Sequence, residues 1–298
     1  MVRLFLSLSL CAGLALADDA SVQRDGFQLH YRAEGAGQPV VFLSGGPGFE
    51  VDYMKPAAEF FPPGFQAIFL EQRGTGRSMP PKMTAENFTL SLVVEDLEAL
   101  RVALKQERLF LVGHSWGGML AMAYAAAHPD RVDRLILISS GGPTTEFFQS
   151  FGDTIQSRMY PEDKAAELRA MKPLLASGSD QAFLDVVKAR TPAYFFDRAK
   201  GLDFVAHTPA GSLHYRPATL LQNDLAKHYD SRPGLARLDR PTLIIEGHQD
   251  PIGEKVAEDI HAVIRSSTLR YIHRCGHFPW LEQPDTFRKI VAGFLAAK

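Results

Sequence analysis

Cysteine is scarce in this chain, with 2 in 298 residues, at Cys11 and Cys275. Cys11 lies in a leader-like segment whose removal leaves Cys275 alone, so no intrachain disulfide can hold the fold. Neither sign of charge dominates: 32 Lys+Arg face 34 Asp+Glu, a net charge of −2. That balance lacks the basic footprint of a nucleic-acid binder, so no nucleic-acid partner is expected. No apolar run reaches the roughly 20 residues that cross a bilayer, so stable membrane insertion is not expected either. Internal repeats, low-complexity tracts and the H-E-x-x-H metal motif are all missing. The apolar content of 46% is too high for a disordered chain. With 19 Pro and 24 Gly, the composition is that of a loop-rich mixed α/β protein. The length fits one large domain or two small ones, with ample core to bury.

The amino terminus carries its own signal. Arg3 precedes an apolar stretch over 4–16, and Ala15-Leu16-Ala17 has the small-x-small form of a cleavage site before Asp18-Asp19. The expectation is a signal peptide over 1–17 and an exported protein, periplasmic or secreted; a membrane anchor is the alternative. A lipid anchor through Cys11 is excluded by bulky Leu10 in the position where lipoprotein signals carry a small residue. Cleavage after Ala17 takes Lys+Arg to 31 and the net charge to −3.

Along the rest of the chain, residues 22–24, Asp25-Gly26 and alternating Phe27, Leu29 and Tyr31 predict a hairpin closed by a type I′ turn. Continuous apolar runs over 39–43, 65–70, 109–112, 135–138, 242–246 and 269–273 predict strands covered on both faces, as in a parallel sheet. Helical spacing over 91–106, an Ala-rich run to Ala127, and the segments 254–264 and from Pro284 alternate with them. The fold class is therefore α/β, a mostly parallel, doubly wound sheet. Over 143–238 the strand rhythm stops, and Pro- and Gly-broken helical patterns take over. So long a stretch is not a loop in a compact domain, which predicts a helical insertion between core parts 18–142 and 239–298. Its aromatics, among them Phe147, Phe148, Phe151, Tyr194 and Phe204, are candidates to line a pocket or to form the insert's own core.

Chemistry enters with Gly113-His114-Ser115-Trp116-Gly117, a G-x-S-x-G nucleophile elbow between a short apolar strand and an Ala-rich helix. A Ser hydroxyl needs a base to take its proton, and the base needs a third group to orient it. In this fold's chain order an acid and then a His should follow, each just beyond a later strand. Asp250 in Gly247-His248-Gln249-Asp250-Pro251 fills the first place, with Glu246 its rival inside the strand. His277 in Cys275-Gly276-His277-Phe278 fills the second, with His248 and His273 as rivals. Two N–H donors must meet the oxyanion; Trp116, directly after the nucleophile, and Gly46 in Ser44-Gly45-Gly46-Pro47-Gly48 are the candidates. Gly45 stands next to the substrate in the same loop.

No cofactor is expected. Gly74-x-Gly76 lacks the third Gly of a dinucleotide loop. His273, Cys275 and His277 alternate like metal ligands, but no second cluster completes a site, so no metal is expected.

Ser44-Gly-Gly-Pro-Gly48, Glu71-Gln-Arg-Gly-Thr-Gly-Arg-Ser78 and Gly113-His-Ser-Trp-Gly-Gly118 together resemble the prolyl aminopeptidase (proline iminopeptidase) branch of the α/β-hydrolases. That family reads H-G-G-P-G, D-Q-R-G-x-G-R-S and G-[GH]-S-W-G-[GS] at these places. The resemblance implies Ser115, Asp250 and His277 as a triad, Gly46 and Trp116 as the oxyanion hole, and the insert as a cap. It also implies a carboxylate in the cap for a substrate's free amine, for which Asp197 is the candidate. Ser44 and Glu71 replace the family's His and Asp, and neither Trp lies in the cap. The implied activity is hydrolysis of a small amide or ester, in a small molecule or short peptide, with release of N-terminal Pro as one form. An esterase or lactonase, and a non-catalytic binding protein on the same scaffold, are the alternatives.

Overall fold

The structure, a computed structural model, describes residues 18–297; the segment read as a signal peptide lies outside the described residues. Strands β1 (Asp18–Arg24), β2 (Phe27–Gly35), β3 (Gly37–Leu43), β4 (Gly64–Leu70), β5 (Leu109–His114), β6 (Val132–Ile138), β7 (Thr242–Gly247) and β8 (Ser267–Ile272) form one sheet. Their order is β1-β2-β4-β3-β5-β6-β7-β8. The β1–β2 and β2–β4 pairs are antiparallel, and every pair from β4 to β8 is parallel.

Burial on both faces explains the unbroken apolar runs. On β3, Val41 and Leu43 join one core cluster while Val40 and Phe42 join the other. On β5, Leu109 and Leu111 part from Phe110 and Val112 in the same way. A run of apolar residues on a central strand is two alternating half-faces, each met by helices.

Helices α1 (Lys55–Ala58), α2 (Leu90–Ala103) and α3 (Trp116–Ala127) accompany the first strands. Between β6 and β7 come α4 (Phe148–Arg158), α5 (Pro161–Ser177), α6 (Asp180–Arg190), α7 (Arg198–His207), α8 (Tyr215–His228) and α9 (Arg232–Leu235), with no strand among them. Then α10 (Glu254–Val263), α11 (Pro279–Glu282) and α12 (Pro284–Ala296) complete the chain. Buried residues of α2, α3 and α10 pack on one face of the sheet, and those of α1, α11 and α12 on the other.

One local expectation is corrected. Of Asp25-Gly26 only Gly26 has positive φ, at 85°, whereas a type I′ turn requires it at both central residues.

Candidate active site

The loops leaving the C-terminal ends of β3, β5, β7 and β8 carry the candidate residues to one rim of the sheet, where ligands bind in open α/β folds. After β5 the chain turns into α3 through Ser115 at φ 56° and ψ −118°, a conformation that residues with a side chain rarely adopt. The flanking glycines make the turn possible. A Cβ at Gly113 would stand 2.3 Å from the Gly117 carbonyl oxygen, and one at Gly117 would stand 2.1 Å from that of Leu43. Backbone lies against backbone there, and no side chain fits.

His277 and Asp250 meet across the β7 and β8 loops. His277 Nδ1 lies 2.9 Å from Asp250 Oδ2 and 3.1 Å from Oδ1, with both side chains buried. Oδ1 also accepts the Ile252 N–H at 2.9 Å, which fixes the carboxylate within its own loop. The His277 N–H donates to the Tyr194 carbonyl at 2.8 Å, anchoring the loop to the helical insert. Ser115 and His277 line the same cavity. Among the described residues Ser115 Oγ makes no hydrogen bond to the imidazole, a contact that tightens in many hydrolases only with substrate bound.

The rivals sit elsewhere. Glu246 lies within β7, buried, with Oε1 unpartnered among the described residues. Desolvation, reinforced by nearby Asp250, pushes its carboxyl well above the usual range. His248 Nδ1 bonds Glu254 at 2.7 Å, and its ring packs on those of Tyr271 and His273. Among the described residues no three His, Cys, Asp or Glu side chains are placed to hold a metal.

The Gly46 and Trp116 N–H groups are both unpartnered among the described residues. Trp116 is the first residue of α3, where a helix leaves its N–H groups free and its dipole positive. Buried Gln72 joins the loop that carries Gly46 to the Trp116 side chain. Its Nε2 donates to Ser44 O and Oγ, both at 3.0 Å, while its Oε1 accepts the Trp116 indole N–H at 2.9 Å. Sequence reasoning placed Gln72 in a motif but gave it no role.

It also passed over His114 and Tyr53. His114 Nε2 lies 2.9 Å from the His277 carbonyl, its Nδ1 2.7 Å from Tyr53 Oη, and Tyr53 Oη 2.5 Å from the Gly45 nitrogen. The hydrogens of this chain have one fully satisfied arrangement. A carbonyl only accepts, so Nε2 carries the proton; Nδ1 then accepts from the Tyr53 hydroxyl, which accepts from Gly45. Burial first, and His277 beside it, hold His114 well below the usual histidine range, in keeping with this neutral tautomer. The hint in the sequence was His at the variable position of G-x-S-x-G.

Ser115 stands where two lobes of one cavity meet, of about 220 and 430 Å³. Phe147, Phe148, Phe151, Tyr194 and Phe204 of the insert line them, so these aromatics serve the pocket. Phe195 instead is core, stacked on Phe278 with centroids 4.8 Å apart. The expectation for Asp197 is corrected: it lines neither lobe. Its exposed carboxylate accepts the Ala199 N–H at 2.9 Å and caps α7, and its own N–H goes to buried Glu282. A short acidic side chain just before a helix is a cap by geometry. Gly45 does line the cavity, but its N–H is taken by Tyr53. Among the described residues, the only Asp, Glu, Lys or Arg in the lining is Arg190, paired with Glu167.

A family model described as the α/β-hydrolase fold matches residues 38–284. The chain belongs to the α/β-hydrolase fold family. This hydrolase is 29% identical to a proline iminopeptidase of Lactobacillus helveticus, over 91% of this chain and 95% of that one. In three dimensions it is similar to an α/β fold family hydrolase from Bacillus anthracis, at a TM-score of 0.77 and 21% identity over 94% of this chain and all of that one. An esterase from Exiguobacterium antarcticum superposes at a TM-score of 0.70 and 22% identity, over 93% and 99% of the two chains.

Proposed function

We propose that the protein is a serine hydrolase that cleaves small esters through an acyl-enzyme. The observation that carries this reading is the Asp250–His277 pair, at 2.9 Å, facing the same cavity as the strained Ser115. In the proposed reaction Ser115 Oγ attacks the ester carbonyl as His277 Nε2 takes its proton. Asp250 holds the ring by Nδ1–H and stabilises the imidazolium that forms. The oxyanion receives the free Gly46 and Trp116 N–H groups, with α3 adding its positive end. Collapse of the intermediate breaks the bond to the alcohol oxygen, to which His277 delivers the proton. Water then enters by the same route, giving its proton to His277 and releasing the acid and free Ser115.

The likeness to proline iminopeptidases favours a second reading, an aminopeptidase. Binding a substrate ammonium calls for an anionic partner, whereas no Asp or Glu lines either lobe among the described residues, and Arg190, which does, is already paired with Glu167. The lining supports the ester reading.

A fluorophosphonate probe and a turnover panel test both. The ester reading expects labelling of the native protein, its loss in Ser115→Ala, and turnover of aryl esters far above Pro-arylamide. An unlabelled native protein, or labelling that survives Ser115→Ala, contradicts the serine mechanism. Pro-arylamide as the better substrate would replace the ester with the peptide.

For location we propose export through the signal-like segment 1–17, supported by Arg3, the apolar run and Ala15-Leu16-Ala17. Intact-mass measurement of protein recovered outside the cytoplasm should show a chain starting at Asp18.

A further inference from the structure

We propose that the two lobes divide the substrate, the larger taking an apolar acyl chain and the smaller a compact apolar alcohol. The preferred substrate is then an ester of a medium-length fatty acid; this rests on the serine-hydrolase reading above. Ser115 and Gly46 line both lobes, as the attacking oxygen and an oxyanion donor at a junction must. His277 lines only the smaller lobe, of about 220 Å³, while Trp116 and Met119 line only the larger, of about 430 Å³.

That asymmetry orients the ester. The group that protonates the departing oxygen must lie beside it, so the alcohol occupies the lobe containing His277. The remaining substituent of the carbonyl, the acyl chain, points into the other. The larger lobe also holds Gln156, Gln222 and the Glu167-paired Arg190, but most of its wall is Met119, Phe147, Phe148, Ile155, Leu225 and Ile252, against which methylenes are removed from water. The smaller is walled by Phe49, Phe183, Val187, Phe204, Leu213 and Phe278, at about half the volume. An alcohol leaves neutral and fits such a lining. An alkyl amine would also leave neutral, but below about pH 10 it takes up a further proton, and among the described residues no acid on these walls would meet that cation.

Gly152 of α4 gives a clean probe, because it lines the larger lobe and a Cβ built on it meets nothing within 4 Å. The experiment measures kcat/KM for 4-nitrophenyl acetate to octanoate, and for phenyl against naphthyl acetates, in the native protein, Gly152→Phe, Val187→Phe and Val187→Ala. Each buried methylene is expected to add up to about fourfold, so octanoate should exceed acetate at least tenfold. Gly152→Phe should lower the octanoate-to-acetate ratio at least tenfold and leave the naphthyl-to-phenyl ratio in place. Val187→Phe should lower the naphthyl-to-phenyl ratio and Val187→Ala raise it, both leaving the chain-length ratio in place. Thermal unfolding of each variant confirms that folded protein is compared. Acetate matching octanoate, the opposite pairing of variants with ratios, or both ratios moving together would overturn the assignment. Failure of fluorophosphonate to label native Ser115 would instead remove the serine mechanism beneath it.

Discussion

At single residues, the site depends on groups outside the proposed triad and oxyanion hole. Tyr53 joins the Gly45 amide to His114, and His114 joins it onward to the backbone of the base. Tyr53→Phe keeps the ring but leaves the Gly45 N–H and His114 Nδ1 without partners, at about 1–3 kcal/mol each. Since Gly45 precedes the oxyanion donor Gly46, the loss should fall on the transition state. We predict kcat lower by about 10- to 100-fold with KM within about twofold, read from steady-state ester hydrolysis. A rise in KM at unchanged kcat would assign Tyr53 to ground-state binding instead. Glu246 gives a pH signature. Its folded pKa is raised, so above the ordinary value of 4.5 the unfolded chain releases a proton that the folded one keeps. Folding therefore loses stability as pH rises from there toward the folded pKa. Glu246→Gln, neutral at every pH, should gain in melting temperature relative to the native protein as pH rises over the range above about 5. A constant difference across that range would show Glu246 ionised in the fold. Ser115, Asp250 and His277 could be proposed from the sequence because each has a position relative to a strand. Tyr53 and Glu282 could not, because their partners, the His114 ring and backbone N–H groups, are brought near only by the folded chain.

Among the elements, the sheet was the most legible part, since parallel strands announce themselves as unbroken apolar runs. The insert's role in the site was less so. Helical spacing gives a helix but not what it covers, and aromatics suit a core as well as a pocket. The segment that joins insert to base shows what was hidden. Tyr194 O accepts the His277 N–H, and Glu282 of α11 accepts the Asp197 and Gly276 N–H groups at 2.9 and 2.5 Å. This carboxylate stitches the insert to the loop carrying His277. Glu282→Ala strands those buried donors, and we expect a stability loss of about 2–5 kcal/mol by urea unfolding. A change under about 0.5 kcal/mol would show that the joint holds without it. At the elbow, Gly117→Ala drives a Cβ into the Leu43 carbonyl, 2.1 Å away. We expect this variant to lose at least about 3 kcal/mol and nearly all of the proposed ester hydrolysis.

For the whole molecule, the sheet positions four loops from distant parts of the sequence and the insert closes over them. Fold class followed from alternation of strands and helices, and the proposed site from chain order. Substrate choice did not, because it is set by the shape and charge of a cavity built from the insert and core together. Asp197 shows the cost of reading charge without shape: the acid nearest an aromatic in the sequence caps a helix outside both lobes. The absence of any acid from the described lining favours an ester over a peptide with a free amine. Rapid chemical quench of an octanoyl ester reaction, followed by peptide mass spectrometry, tests the central claim most directly. The account predicts an octanoyl group on the peptide containing Ser115, formed before acid is released and missing from Ser115→Ala. Acid released by the native protein with no acyl group on that peptide at any time would contradict it.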